Sequence, residues 1–322
     1  MMINIDISNI IRGRNKIIIL PHILPDGDTL GSSIALKRAL SLLNKDVSII
    51  LNDEIPSNLK FLTEHNNIMS TKLFMSLGIK PDLIITIDTS DPERLGDRGK
   101  LLDLSEDILN IDHHSTSTYY GKYNIVDPDV SSCGEIIYKI IKELNIEIEN
   151  DIAEPLYVSL ITDTGSFKYS NTSPETFRIA ADLLESGIDA TRIVTELYQN
   201  KPVNKIRLLA DALDSMEVFY DGKLSIMSVP LQMFEKSNSH PSESDGIIEY
   251  GRDIEGVEVA ILLKELSPNE IKVGFRSKYD FDVSRIAMEF NGGGHKKASG
   301  CTIFNTIENA KKIIVEKFEN KL

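Results

Sequence analysis

The chain has 322 residues, 41% hydrophobic and 26% charged, a composition that suits a globular protein of two domains. No apolar run approaches the ~20 residues of a membrane helix. The start, MMINIDISNI, lacks the basic region of a secretion signal, and two cysteines, Cys133 and Cys301, make no disulfide framework, so a cytoplasmic protein with no membrane partner is expected. The formal net charge of −14 argues against long nucleic acid, whose non-specific binding relies on basic contacts. The acidity is uneven: residues 216–322 carry 14 Lys+Arg against 17 Asp+Glu, a net of −3, which leaves −11 for the first 215 residues.

In chain order, Lys16–Leu20 (KIIIL) reads as a strand and Thr29–Leu43 as a helix. Val47–Leu51, Leu83–Asp88, Ile108–Asp112 and Asn124–Val126 are short β-rich runs, and Cys133–Leu144 and Asp151–Ile161 are helical in pattern. The alternation implies an α/β fold, with a doubly wound, mostly parallel sheet over residues 1–188. In SPETFRIAADLLESG, Ser173 is the expected N-cap, Pro174 lies in the first turn and Gly187 is the C-cap. Ala190–Gln199 and Val203–Ser215 are two more helical stretches, so 189–215 is expected to be a helical connector. Strands then return. MEVFY and KLSIMSV flank Asp221-Gly222, a hairpin signal, and VEVAILLKEL and NEIKVGFRSK form an expected antiparallel pair around Ser267-Pro268. With a closing helix, Ile307–Phe318, residues 216–322 read as a smaller α+β domain.

Chemistry-bearing residues gather where the first domain's elements end. His22, Asp26 and Asp28 follow the first strand in PHILPDGDTLGSS, and Asp88 follows another in LIITIDTSDP. Asp112, His113 and His114 close a third in ILNIDHHSTS, and Asp163 ends a helical stretch in SLITDTGSF. Singly, each Asp is best explained as a helix cap or turn former. Jointly they are not, because α/β sheets bind ligands beyond the carboxyl ends of their strands. Two like charges 4 Å apart repel by roughly 4 kcal/mol at an effective dielectric of 20, so several carboxylates in one crevice need neutralising. Divalent cations would do this. Asp and His ligands without Cys suit manganese, with magnesium or cobalt as substitutes. Carboxylate-rich sites of this kind hold two ions about 3.5–4 Å apart and hydrolyse phosphate esters.

The D-H-H at 112–114 and the H-x-x-x-D-G-D from His22 resemble the DHH phosphoesterases, and the Asp88 and Asp163 segments fit that family's other motifs in order. NGGGHKKASG (Asn291–Gly300) resembles the glycine-rich signature of the DHH-associated domain, so the likeness covers nearly the whole chain. Length and layout resemble the branch that degrades nano-RNA and dephosphorylates pAp. The resemblance implies that His22, Asp26 and Asp88 hold one Mn2+, and that Asp28, Asp88, His113 and Asp163 hold a second, with Asp88 bridging. It also implies that Asp112 orients the His pair and that His114 faces the substrate phosphate.

In the second domain, Gly292, Gly293 and Gly294 can adopt positive φ and bring backbone N–H groups to an anion, with His295 beside them. Arg276 ends a strand and can grip a phosphate, or it is a surface charge; the resemblance favours the first and adds Ser277. Arg252 is a weaker candidate, and Phe167 and Tyr169 fit core packing better than base stacking. The expected partners are short RNA or DNA oligonucleotides, pAp or cyclic dinucleotides, held in a cleft that opens and closes between the domains, and the resemblance is consistent with a homodimer. Cyclic di-AMP or pApA cleavage is the rival activity, and a non-catalytic nucleotide sensor is the rival class. Departures from the family pattern are slight: Thr29 and Ser299 stand where Ala is common, neither is a proposed ligand, and Thr29 could shift the helix start beside Asp28.

Overall fold

The computed structural model describes residues 6–63 and 68–322. These form two units that divide between Asn200 and Lys201.

The main elements of the first unit are α1 (Ile7–Arg12), β1 (Lys16–Pro21), α2 (Gly27–Leu42), β2 (Asp46–Ile50), β3 (Ile68–Met69), α3 (Thr71–Ser76) and β4 (Leu83–Ile87). A 3₁₀ segment, Pro92–Leu104, follows, then β5 (Ile108–Asp112), β6 (Tyr123–Val126), α4 (Cys133–Glu143), α5 (Asn150–Asp163), α6 (Pro174–Glu185) and α7 (Ala190–Val194). The strands lie in the order β3-β2-β1-β4-β5-β6 and every pair is parallel, as the alternation predicts. The near-continuous apolar runs reflect burial on both faces. Ile17 and Ile19 enter the core under α2, α4 and α5, while Ile18 and Leu20 enter the one under α3 and the 3₁₀ segment. Between β1 and β4 the strand order reverses, and such a switch point opens a crevice at the carboxyl ends of the strands.

Two helices meet unusually closely beside that crevice. A Cβ built on Gly31 of α2 would lie 2.3 Å from the carbonyl oxygen of Pro155 in α5, so only glycine allows the approach. Ser173 caps α6 in a reciprocal pair with Thr176, as expected. The helix stops at Glu185, and Gly187 takes the left-handed conformation just beyond it, at φ 91°. The single helix expected over 190–199 is instead α7 followed by a π-helical turn, Thr195–Gln199.

The second unit contains α8 (Val203–Asp214), β7 (Glu217–Phe219), β8 (Leu224–Val229), α9 (Leu231–Ser237), α10 (Ile247–Arg252), β9 (Val259–Ser267) and β10 (Glu270–Ser277). It closes with α11 (Val283–Met288), β11 (Gly293–His295), β12 (Ala298–Phe304) and α12 (Ile307–Phe318). Its sheet runs β11-β12-β10-β9-β8-β7 and is antiparallel except between β8 and β9. One face packs on α11 and α12. The other packs on α8, α9 and α10, so the stretch expected as a connector contributes Leu208 and Ala212 of α8 to this core. No helix among the described residues is long and apolar enough to cross a membrane.

Candidate metal centre

Four chain segments deliver side chains to the switch-point crevice. His22 directly follows β1, and Asp26 and Asp28 stand at the start of α2. Asp88 leaves β4 at φ 58°, a left-handed conformation that costs a non-glycine residue about 1–2 kcal/mol. Asp112 ends β5, ahead of His113 and His114, and Asp163 is the last residue of α5. His22, Asp28, Asp88 and Asp112 are all buried.

Asp88 is the hub. Its Oδ2 lies 3.3 Å from His22 Nε2, which is also 3.6 Å from Asp26 Oδ2. Its Oδ1 lies 3.5 Å from His113 Nε2, which faces Asp28 Oδ2 at 3.6 Å and Asp163 Oδ2 at 3.8 Å. These separations exceed a normal hydrogen bond. All but the 3.8 Å to Asp163 fall within the ~3–3.6 Å between two ligands of one ion whose bonds are about 2.1 Å long. The tautomer of His22 points the same way. Its Nδ1 lies 2.6 Å from the Ile23 carbonyl, which can only accept, so Nδ1 donates. In the neutral ring, Nε2 then aims a lone pair at two carboxylate oxygens, an arrangement that needs a cation or a proton between them. Asp112 Oδ2 is also buried with no hydrogen-bond partner among the described residues. The donor set therefore fits divalent cations.

Neighbouring groups hold these side chains in place. Asp26 also caps α2, its Oδ1 accepting from Thr29 N at 3.0 Å, while its Oδ2 faces His22. Asp28 accepts from the backbone of Cys133 (2.8 Å) and Gly134 (3.2 Å) at the start of α4, and from the hydroxyls of Ser32 (3.0 Å) and Ser159 (2.6 Å). A helix N-terminus favours a carboxylate. Asp112 Oδ1 accepts from His114 Nδ1 at 2.8 Å and from His113 N at 2.9 Å, which fixes the turn and the ring. The helix starts at Gly27 rather than at the expected Thr29; the Thr29 hydroxyl accepts from the His22 N–H at 3.4 Å and donates to the Ile87 carbonyl at 3.1 Å, which ties the ends of β1 and β4 together.

The electrostatics reflect carboxylates and imidazoles crowded together in a buried crevice. Burial pushes Asp28 well up, with the Asp88 charge adding to it and His113 opposing. Burial works against the Asp88 anion, but His113 and His22 outweigh it and hold Asp88 below the usual carboxylate range. Burial raises Asp163 to about 6. His22 and His113 rise to about 10 because, against the cost of burial, Asp88 and the adjacent carboxylates stabilise their protonated forms.

Sequence reasoning missed Ser159 and the start of α4. Ser159 lies one turn before Asp163 on the same helix face, a spacing visible in the sequence. Cys133 has its Sγ 3.8 Å from Asp88 Oδ1, and burial pushes its thiol well up. Phe167 stacks on Phe177 with ring centroids 5.2 Å apart and packs against the core. The ring of Tyr169 lies over Gly165, where a Cβ would meet it at 2.4 Å.

The remaining candidates lie in the second unit. Arg276 Nε is 3.4 Å from Glu249 Oε1, and Nη1 donates to the Phe275 carbonyl at 3.1 Å. The Ser277 and Ser299 hydroxyls are buried with no hydrogen-bond partner among the described residues. The triple glycine is not the run of positive φ that was expected. Asn291 takes the left-handed position after α11, and Gly293–His295 forms an edge strand on β12. Gly292 is required by packing, since a Cβ would lie 2.2 Å from the Gly300 carbonyl oxygen, and Gly294 by its φ of 135°. Only Gly293 of the three faces open space. Arg252 pairs with Asp253 at 2.9 Å.

Comparison with known proteins agrees with this layout. Residues 16–160 match the DHH family, N-terminal domain, and residues 222–322 match the DHHA1 domain. The chain is 29% identical over 287 residues to the bifunctional oligoribonuclease and PAP phosphatase NrnA of Thermus thermophilus, covering 89% of this chain and 84% of that protein. It is 27% identical over 305 residues to the protein of the same name from Bacillus subtilis, covering 94% and 93%. A crystal structure of an exopolyphosphatase-related protein from Bacteroides fragilis superposes with a TM-score of 0.92 at 28% identity, covering 98% of this chain and 95% of that one.

Proposed function

Because this chain belongs to the DHH family, joining a DHH N-terminal domain to a DHHA1 domain, we propose that it is a metal-dependent phosphoesterase. Its substrates in this reading are short oligoribonucleotides, hydrolysed to mononucleotides, and pAp, hydrolysed to AMP. The observation that carries the proposal is Asp88, whose two oxygens face two separate ligand groups in one crevice. The names of the relatives from Thermus thermophilus and Bacillus subtilis supply the substrate class.

We assign His22, Asp26 and Asp88 to one divalent ion, and Asp28, Asp88, His113 and Asp163 to the other, with manganese as the ion the mixed Asp and His donors suit best. Bound there, two such ions supply a water acidified toward neutrality and offset charge on the phosphoryl oxygens. The chain's own groups do the rest. The water oxygen bonds to phosphorus as the P–O ester bond breaks, and the water's proton leaves to solvent. His114, whose proton affinity Asp112 and Asp88 raise against the cost of burial, gives the departing oxygen its proton. Asp112 holds the ring for that transfer. Arg276, Ser277 and the Gly292–His295 segment are assigned to the substrate; the unpartnered Ser277 hydroxyl supports this. The net charge of −14 favours short substrates over long polymers.

The test is product release with Mn2+ from a 5′-labelled dinucleotide, a long RNA, pAp and cyclic di-AMP, using the native chain and Asp88→Ala. Rapid loss of the dinucleotide and pAp, absent in the variant, supports the proposal. Preference for cyclic di-AMP moves the protein to second-messenger turnover, and tight binding without product makes it a sensor.

A further inference from the structure

Arg98 heads the largest fully buried side chains among the described residues, 1% exposed, and nothing above gives it a role. It sits in the 3₁₀ segment Pro92–Leu104 that follows Asp88. Its guanidinium donates to the Pro21 carbonyl at 2.8 Å, to the Ile50 carbonyl at 3.0 Å and to Asp53 Oδ2 at 3.2 Å. Pro21 immediately precedes His22. Asp53 Oδ1 in turn accepts from the Leu24 N–H at 3.1 Å, two residues past His22. The same 3₁₀ segment offers the Arg94 carbonyl to the Ile23 N–H at 2.8 Å. A Cβ on Gly96 would lie 2.9 Å from Ile23 Cγ2, so the segment fits closely against the turn.

Apolar packing leaves the outer end of this turn unanchored, although Pro21 is buried and Ile23 half-buried. Leu24 is 78% exposed and sits at φ 54°, a conformation an L-residue keeps only when its surroundings over-determine it. The polar contacts just described supply that constraint. Stability is a poor reason for the pair, since replacing a buried ion pair with apolar groups of similar volume is often neutral or stabilising. We infer that Arg98 and Asp53 are positioning residues for the metal centre, bracing the Pro21–Leu24 turn so that the His22 ring stays aimed at Asp88. The inference rests on the reading that His22, Asp26 and Asp88 share an ion. It adds a device that joins the turn after β1 to the segment after β4, where two ligands of that ion originate.

The experiment is Mn2+ titration of the metal-free full-length chain by calorimetry, with the thermal midpoint of each metal-free variant recorded in parallel. The native chain is expected to show two binding steps, one abolished by His22→Ala. Asp53→Ala should weaken that same step about 10–100-fold and leave the other unchanged. Asp53→Asn, which keeps an oxygen for the Leu24 N–H, should recover most of the loss. The double variant Arg98→Met with Asp53→Leu guards against simple unfolding: it should retain the thermal midpoint and still lose the His22 step. If Asp53→Ala or the double variant binds both ions as tightly as the native chain, the brace is overturned. Equal losses in Asp53→Ala and Asp53→Asn would also overturn it, since charge and not positioning would then matter. A native chain that takes up no Mn2+ overturns the metal reading beneath it, a result distinct from the others.

Discussion

Replacing Gly31 with alanine tests whether helix spacing sets the metal centre. The added Cβ would stand 2.3 Å from the Pro155 carbonyl oxygen and 3.1 Å from Ser159 N. Carbon and carbonyl oxygen normally keep about 3.3–3.6 Å even in close contacts, so α2 and α5 must part by roughly 1 Å. Such overpacking costs about 1–3 kcal/mol. The better helix propensity of alanine returns up to about 1 kcal/mol. A net loss of about 1–2 kcal/mol lowers the thermal midpoint by about 2–8 °C for a unit of this size. The displacement also reaches the site. Asp28 lies one turn before Gly31 and accepts from Ser159 of α5 at 2.6 Å, and Asp163 lies one turn beyond Ser159. The Mn2+ step assigned to Asp28 and Asp163 should therefore weaken about 10–100-fold, the range seen when groups behind a ligand are lost. Differential scanning fluorimetry and metal titration read the two effects. Gly13→Ala is the control, since a Cβ there meets nothing within 4 Å. A Gly31→Ala chain with an unchanged midpoint and unchanged Mn2+ binding would refute the reasoning.

The metal-free chain should lose stability as pH rises from 6.5 to about 10. His22 and His113 have folded pKa values raised to about 10, so their contribution is complete below the unfolded value near 6.5 and vanishes above the folded one. Thermal midpoints in chelator across that range check it, and a flat profile contradicts it. Glu135→Ala should cost about 2–3 kcal/mol in urea unfolding: its buried carboxylate accepts from Ser131 Oγ and Thr176 Oγ1, both at 2.5 Å, and ties α4 to the cap of α6. A loss under about 0.5 kcal/mol, the scale of an ordinary surface change, would count against that role. Both thiols are buried, and burial pushes Cys133 well up and Cys301 to about 11. A disulfide reagent should thus find no fast-reacting thiol in the native chain and two after denaturation, and rapid native labelling contradicts this burial.

Much of this was legible because apolar runs and the acidic residues that end them are local signals. The parallel sheet could be read from KIIIL, LIITI and ILNID, since strands buried on both faces leave no alternation. The gathering of His22, Asp26, Asp28, Asp88 and the 112–114 run follows from their places after such strands. Arg98 could not be read this way. It lies in a charged stretch, PERLGDRGK, and nothing in that stretch marks its guanidinium as buried beneath two strand ends. The Gly31 approach also depends on a partner more than 120 residues away. For Gly292–Gly294, local reasoning assigned one cause, a shared positive φ, where the structure bears this out at Gly294 alone and gives close packing as the cause at Gly292.

The most direct test of the central claim is the release of AMP from a labelled dinucleotide by chelator-stripped protein as Mn2+ is restored, with bound metal counted at each step and Asp88→Asn alongside. The account predicts no product from the stripped chain, turnover that rises with occupancy of both ions, and none from the variant. Product formed at full rate in excess chelator, or two bound ions and bound dinucleotide without cleavage, would contradict it.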